Sequence, residues 1–426
     1  MPVDRRRFLT AGAAGLFAAG LYGDGAAADA PASFEPSADE PDADVFAAAR
    51  KRFLFSTDLT YGNTGTLGAC PRDVMDAYLG GLEKLERELP DWPYFQADGE
   101  PLTGYQELRD FRARIGAFVN ADAHEIALTQ NATMGMSFIA NGIDLEAGDE
   151  VITTDQEHSG GVGSWRLRAL RGGIVVRELP LDSALDGGPE AVIDLFRRAI
   201  TPRTRVLMVS QITSAFGIVL PARELCALAR EHGILSVVDG AQSIGQIPVD
   251  LRELGCDAFV ASPHKWLLAP KGTGFLYLRR GVPQRIWGTL AGSHYDDWDS
   301  GAFRFMQFGT GSVPIVAGLA AAFDFIDAIG LQRVARWDHM LNSRLRDGLE
   351  TIPAVRITSP EDRRYAAAIT TFRVNGQTAR DLQIALWKEK IRVRAQNDRN
   401  GVRFCTHLYV APADIDRALD VVSSLA

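Results

Sequence analysis

The order of apolar runs along the chain predicts an α/β fold, a large domain on a mostly parallel sheet followed by a small C-terminal α+β domain. Three observations carry this prediction. Between about Leu102 and Leu278, short apolar segments alternate with helical stretches. Several of these segments are almost continuously apolar and end in polar residues, as strands buried on both faces do. A long helical stretch from Pro314 to Leu349 then leads into a tail with its own shorter strands and helices.

The N-terminus stands apart from the fold. Arg5-Arg6-Arg7-Phe8-Leu9 precedes a weakly apolar run from Ala11 to Tyr22, and Ala26-Ala27-Ala28 and Ala28-Asp29-Ala30 each offer a small-residue cleavage pattern. This predicts a twin-arginine export signal over residues 1–30, use of the twin-arginine machinery and a periplasmic location. That route carries folded cargo. Residues 31–60 read as a linker and N-terminal segment, with Pro31 to Asp44 rich in Pro, Asp and Ala. The large domain is expected over 61–335 and the small one over 336–426.

Strands are predicted at Glu125–Thr129, Glu150–Thr154, Ile174–Leu179, Arg205–Ser210, Leu235–Asp239, Asp257–Ser262 and Gly274–Leu278. A helix from Ala222 to His232 begins just after Pro221 and stops at Gly233. In the tail, strands are expected at Ala368–Val374, Ile391–Arg394 and Val402–Cys405, and helices at Ala379–Glu389 and Ala413–Leu425.

Composition narrows the partners. A hydrophobic content of 46% with 23% charged residues is ordinary for a globular protein with a full core. The net charge of −9 and the absence of a dense Lys/Arg run argue against nucleic acid. Past the N-terminus no apolar stretch reaches the roughly 18 residues needed to span a bilayer, so no stable membrane span is expected. Cys70, Cys226, Cys256 and Cys405 form neither a C-x-x-C pair nor a metal-ligand spacing. They read as buried thiols, and no metal is expected.

The chemistry concentrates at two places. Val237-Val238-Asp239-Gly240-Ala241-Gln242 puts an acid at the C-terminal end of a buried strand, where open α/β sheets bind ligands. Ser262-Pro263-His264-Lys265-Trp266 puts a lysine just past the next strand, with Pro270-Lys271-Gly272-Thr273-Gly274 following. An ammonium between apolar segments is costly to bury unpaired. A covalent link to an aldehyde removes that cost, and pyridoxal phosphate (PLP) held as a Schiff base on Lys265 gives the aspartate a task. It would keep the pyridine nitrogen protonated, making the ring an electron sink.

Asp239-x-x-Gln242, Ser262-x-His264-Lys265 and the Gly-rich turn after them resemble the fold-type-I PLP-dependent transferases. Within that fold they resemble the class V aminotransferases, in the branch that includes isopenicillin N epimerase-like proteins. The resemblance runs from about Tyr61 to the C-terminus. It implies that Lys265, Asp239 and His158 are catalytic, with His158 stacking on the ring. It implies that Asn131-Ala132-Thr133 binds the cofactor phosphate through Thr133 and backbone N–H groups, as a helix N-terminus favours an anion. Ser262 and His264 would add phosphate contacts, and Gln242 would bond the phenolic oxygen. Gly309 and Thr310, in Phe308-Gly309-Thr310-Gly311, would complete the phosphate site of a neighbouring subunit, which implies a homodimer with shared active sites. Arg403 would clamp the substrate carboxylate, and Asn63, in Tyr61-Gly62-Asn63-Thr64-Gly65, would reach the substrate.

Each of these residues has an ordinary role when taken alone. Asp239 and Thr133 could cap helices, His158 and His264 could be hydrogen-bonded loop residues, and Arg403 could pair on the surface. Their joint order is what singles them out. Fold leaves the reaction open. Cysteine desulfurases of this family need a nucleophilic cysteine shortly before the arginine, and Arg394 to Asn400 contains none. Desulfurase or C–S lyase activity is therefore the alternative, and a non-catalytic cofactor-binding protein is the alternative of another class. The expected reaction lies at the α-carbon of an amino acid or peptide-borne amino acid: epimerisation, transamination, elimination or decarboxylation. Export together with this family resembles the enzymes that modify the glutamyl side chain of pyoverdine siderophores. That implies decarboxylation or deamination of such a side chain, in siderophore or other secondary metabolism.

Overall fold

The computed structural model describes residues 34–91, 108–292, 295–396 and 400–426. The predicted export signal lies outside the described residues.

The large domain is built on a seven-stranded sheet of β2 (Ile126–Thr129), β3 (Glu150–Thr154), β4 (Val175–Leu179), β5 (Thr204–Ser210), β6 (Leu235–Asp239), β7 (Ala258–Ala261) and β8 (Gly274–Leu278), in the order β2-β8-β7-β6-β5-β3-β4. The five strands from β7 to β4 run parallel, and β8 is antiparallel to both its neighbours. Every residue of β3, β6, β7 and β8 is buried, which is why β6, β7 and β8 are mostly apolar, while β3 carries Glu150, Thr153 and Thr154 among its buried residues. Each predicted strand of this domain is present, with ends moved by a residue or so.

Register sets the site. Ser210 lies beside Asp239, and Asp239 beside Val260, so β5, β6 and β7 end together at one edge. Because β8 runs the other way, its first residue, Gly274, joins that edge, paired with Thr129 at the end of β2. A side chain at Gly274 would come within 2.5 Å of the Asn131 backbone nitrogen, so the strand needs glycine there.

The small domain carries an antiparallel sheet in the order β12 (Arg394–Gln396), β13 (Gly401–Cys405), β10 (Ile369–Val374), β9 (Val355–Ile357). Three helices accompany it: Leu331–Glu350, Ala379–Lys388 and Pro412–Ser424. Leu331–Glu350 is one helix, so the division expected at 335/336 falls at Gly330, where φ is 89° and the chain bends by 75° from the helix Val313–Ile329. The linker reading also needs correction. Asp42–Arg50 is a helix, Phe46 stacks on Trp337 at 4.5 Å, and Arg50 pairs with Asp414 and Asp42 with Arg333.

One predicted strand divides. Ile391–Arg392 (β11) pairs in parallel with Thr60–Tyr61 (β1), whereas Arg394–Gln396 turns into the antiparallel sheet opposite Arg403, Val402 and Gly401. The N-terminal segment thereby becomes part of the small domain and lies against the sheet edge where Asp239 ends. Among the described residues, no single helix is long and apolar enough to cross a membrane.

Candidate active site

Asp239 closes β6 with 6% of its surface exposed. One carboxylate oxygen accepts the Ala241 N–H at 2.9 Å. The other faces the start of the helix Ser159–Gly172, where a side chain on Gly161 would come within 2.9 Å of it. His158 caps that helix, its Nδ1 accepting the Gly160 N–H at 3.0 Å. Its ring is exposed at the open side of the cleft. Partial loss of hydration lowers its pKa, and the positive charge of Lys265 lowers it further.

Glu157 holds this histidine's loop in place, a role the sequence did not reveal. Its carboxylate accepts the Thr154 hydroxyl at 2.8 Å and both the N–H and the hydroxyl of Ser210 at 3.0 and 2.6 Å. The loop leaving β3 is thus tied to the end of β5, beside Asp239. Burial pushes the Glu157 carboxyl up to about 7 despite these donors, and the Asp239 charge adds to the rise. Its only signal in sequence was its place next to His158.

Lys265 lies beyond β7 in a tight loop, its N–H bonded to the Ser262 carbonyl at 3.0 Å. Burial lowers its amine to about 8; Asp239 opposes this, and Arg403 and Arg394 push the same way as burial. The loop is fastened from three sides. Gly68 of the N-terminal segment presses on the Lys265 carbonyl, which would lie 1.9 Å from any side chain there. The Trp266 indole donates to Gln242 Oε1 at 2.7 Å. The Trp266 carbonyl faces His407 Nε2 at 2.9 Å, and His407 Nδ1 faces Asp338 Oδ2 at 2.8 Å. His407 and Asp338 are both buried, at 0% and 1% exposure. Both ring nitrogens meet acceptors, so the pair needs two protons between its members: either an imidazolium beside a carboxylate, or an imidazole beside a carboxylic acid. Burial raises the Asp338 carboxyl to about 6, opposed by His407.

The proposed phosphate contacts lie together at the helix Ala132–Gly142, but not all of them are available. The Ala132 N–H, expected to face the phosphate, donates to Ser262 Oγ at 3.0 Å, and the Met134 N–H to Asn131 Oδ1 at 2.9 Å. Thr133 therefore carries the N–H of that turn that these bonds leave over, together with its hydroxyl. Ser262 keeps its own hydroxyl hydrogen to donate. His264 Nδ1 lies 2.8 Å from the Thr273 carbonyl and must donate to it, and burial holds this imidazole down to about 4. Its Nε2 is then an acceptor, and contact with a phosphate oxygen requires a proton there. Gln242 is likewise half committed, donating to the Gly65 carbonyl at 2.9 Å while accepting from Trp266. One amide hydrogen is left for a phenolic oxygen.

Arg403 is 1% exposed. Its guanidinium donates to the Ser214 carbonyl at 2.7 Å, the Thr66 hydroxyl at 2.7 Å and Asn63 Oδ1 at 3.2 Å. Asn63, expected to touch substrate, thus has its oxygen behind the arginine. Cys405 is fully buried, its sulfur 3.1 Å from where a side chain on Gly65 would begin. Gly309 (φ 101°) and Thr310 lie in a partly exposed turn following the 3-10 segment Trp298–Met306.

The cleft fits PLP in its donor chemistry. Arg403 Nε is buried with no hydrogen-bond partner among the described residues, a donor suited to a carboxylate. Gly160 leaves open the space in which a side chain would meet Thr133 Oγ1 at 2.4 Å and His158 Nδ1 at 3.0 Å. A lysine amine, an aspartate and a helix N-terminus face the same cleft.

Comparison with known proteins agrees. The family Aminotransferase class-V matches residues 102–417. The chain is 30% identical over 412 residues to an isopenicillin N epimerase of Amycolatopsis lactamdurans, covering 89% of this chain and 98% of that protein. It is 31% identical over 270 residues to a cysteine desulfurase of Klebsiella pneumoniae, covering 60% and 65% of the two chains. Among solved structures it is similar to a variant of C-DES with glycine covalently linked to the PLP cofactor, with a TM-score of 0.79, 26% identity, and 88% and 98% of the two chains covered. C-DES bound to cysteine persulfide, there described as a cystine C–S lyase, gives a TM-score of 0.76 at 26% identity, covering 86% and 97%. With a matching cleft, a matching family and PLP-bound structural relatives, the chain belongs to the class V aminotransferases, PLP-dependent enzymes of fold type I.

Proposed function

We propose that this enzyme acts at the α-carbon of an amino acid or peptide-borne amino acid, moving the α-proton in the manner of an epimerase or transaminase. One observation carries the reading: Lys265, with its amine lowered to about 8, faces the same cleft as Asp239, His158 and Arg403. When bound, PLP supplies an aldehyde for an amine and a ring that withdraws electrons from the α-carbon. Asp239 keeps a proton on the pyridine nitrogen, and His158 covers the ring. Thr133, Ser262 and His264 hold the phosphate, and the free amide hydrogen of Gln242 meets the phenolic oxygen. Arg403 takes the carboxylate through its orphan Nε. Lys265 then removes and returns the α-proton, a task for which a pKa near the working pH is best.

The test is α-proton exchange. In deuterated buffer the enzyme incorporates deuterium at the α-carbon of its substrates, and chiral or keto-acid analysis identifies the branch. The pure protein is yellow and borohydride fixes its PLP covalently, whereas in Lys265→Ala no PLP is fixed. A protein that stays colourless with added PLP, or that exchanges no α-proton from any amino acid offered, refutes the proposal.

C–S bond cleavage is the second reading, favoured by the likeness to C-DES. An elimination needs the same α-proton removal and no thiol nucleophile, so the missing cysteine between Arg394 and Asn400 counts against desulfuration alone. Release of sulfide or persulfide from cysteine or cystine would favour it.

We extend the proposal to a homodimer completed by Gly309 and Thr310, to the periplasm, and to siderophore or other secondary metabolism. The twin-arginine pattern Arg5-Arg6-Arg7-Phe8-Leu9 supports the location. Sizing chromatography, cell fractionation and the siderophore mass profile of a deletion strain test these in turn.

A further inference from the structure

The segment from Tyr61 to Gly68 links the small domain to the lysine loop. At its start the Gly62 N–H donates to the Arg392 carbonyl at 2.8 Å, and the Gly62 carbonyl accepts the Cys405 N–H at 2.9 Å. At its end the Gly68 N–H donates to the His264 carbonyl at 2.9 Å. Between these ends the Thr64 and Tyr409 hydroxyls meet at 2.5 Å, and the Gly65 carbonyl accepts from Gln242 at 2.9 Å. The Tyr61 hydroxyl closes the turn onto the Leu67 carbonyl at 2.8 Å, and the Thr66 N–H donates to the Asn63 carbonyl at 3.0 Å. A loop tied at so many points holds its side chains in fixed places.

Thr66 stands within this loop, half-buried. Its oxygen accepts from Arg403 Nη2 at 2.7 Å, and its own hydrogen goes to Asn63 Oδ1 at 2.8 Å. That Asn63 oxygen also accepts from Nη2 at 3.2 Å, so the three side chains close a triangle. Arg394 Nη1 reaches the same Thr66 oxygen less closely, at 3.3 Å. On the other side of the guanidinium, Nη1 donates to the Ser214 carbonyl at 2.7 Å, in a turn closed by the Gly217 N–H on the Thr213 carbonyl at 3.0 Å. With Nη1 and Nη2 both held, the plane of the group is set, and Nε is the buried donor without a partner among the described residues.

We propose that Thr66 is the positioning residue for Arg403, its hydroxyl fixing the tilt at which Nε meets the substrate carboxylate. This rests on the reading of Arg403 as the carboxylate donor and deepens it. The Ser214 support is backbone and the same for any side chain there, whereas the Thr66 support is a single hydroxyl. Valine keeps the shape of threonine and removes the acceptor. An Nη2 hydrogen then lacks its shorter partner in a buried place, which is costly. The guanidinium turns to recover a bond, and Nε moves away from the carboxylate. Serine keeps the hydroxyl and so keeps the tilt.

The experiment uses PLP-loaded enzyme and three probes. L-Alanine and L-alaninamide share an amine and differ at the carboxylate, and their affinities are read from the visible band. Propionate, followed by calorimetry, reports the carboxylate contact without an amine. The parent binds L-alanine about tenfold or more tighter than L-alaninamide, the scale of one charge-assisted contact. Thr66→Val weakens L-alanine and propionate about tenfold, while L-alaninamide and the visible band of the resting enzyme stay within about twofold and unshifted. Thr66→Ser returns both acids to within about threefold of the parent. With any amino acid that turns over, Thr66→Val raises KM and leaves kcat within about threefold. Propionate affinity unchanged in Thr66→Val, equal losses for acid and amide, or a serine variant no better than valine each overturn the assignment. Failure of the underlying reading looks different and shows before any variant is made: the parent stays colourless with PLP or binds acid and amide equally, and the assignment falls with it.

Discussion

His407 is the residue through which the small domain grips the lysine loop, and removing it measures that grip. His407→Ala deletes the bonds to Asp338 Oδ2 and to the Trp266 carbonyl, at 2.8 and 2.9 Å, inside a region with no solvent access. Asp338 Oδ1 already has no partner among the described residues, so the variant leaves a buried acid with neither oxygen satisfied and a carbonyl without its donor. Breaking one side of such a buried pair costs about 3–5 kcal/mol. With an unfolding entropy of about 2.1 cal/mol/K per residue, the 426-residue chain has roughly 0.9 kcal/mol/K, so the melting point falls by about 3–6 °C. Asp338→Asn keeps an acceptor for Nδ1 and costs less, about 1 kcal/mol. The effect reaches the site because Trp266 follows Lys265 directly: loosening its carbonyl loosens the amine. Differential scanning calorimetry of the loaded enzyme gives the first quantity, and pH titration of the visible band gives the second. A His407→Ala protein melting within 1 °C of the parent, with an unmoved visible titration, would refute the reasoning.

Three further outcomes follow from the geometry. Glu157 is raised to about 7 in the folded protein from a usual value near 4.5; the native state holds its proton more tightly, so this stabilisation is complete below about pH 4 and is lost as pH rises through 7. The change amounts to about 3 kcal/mol, and Glu157→Gln should flatten the melting profile over that range; an unchanged slope rejects it. His264 is held to about 4 with Nδ1 committed to Thr273, so phosphate binding draws a proton onto Nε2. In a Lys265→Ala background, PLP should bind with proton uptake and more weakly as pH rises, and calorimetry in two buffers of different ionisation enthalpy would expose a zero uptake. Gly160→Ala puts a methyl 2.4 Å from Thr133 Oγ1 and 3.0 Å from His158 Nδ1; PLP affinity should fall about tenfold, and unchanged affinity would place the phosphate elsewhere.

Much of this protein is written locally. The runs Arg205–Ser210 and Leu235–Asp239 are apolar because neighbours cover both faces, and such runs read as parallel strands without coordinates. An acid at the end of one strand and a lysine past the next are fixed by chain order, since adjacent parallel strands finish at the same edge. Lys265 and Asp239 were therefore legible as neighbours at one sheet edge, and the PLP dependence read from them agrees with the family; His158 and Thr133 were singled out by the resemblance and not by strand order.

What sequence could not supply are pairings between distant segments, because periodicity records which face a residue takes and not what it meets. Glu157 reaches Ser210 across the sheet edge, and Ser262 takes the Ala132 N–H that seemed free for phosphate. Asp338 and His407 meet under Trp266 only because a helix, a strand end and the lysine loop pack together. Arg394 looked like the end of a strand, yet Thr60–Tyr61 captures Ile391–Arg392 and sends the next residues to face Arg403. Sequence alone determined the fold class and set a lysine and an acid at one sheet edge, because burial and strand order leave local patterns. Tertiary structure alone decided which donors remain free and where a second arginine stands, because hydrogen bonds and charges are settled only when remote segments compete for the same partners.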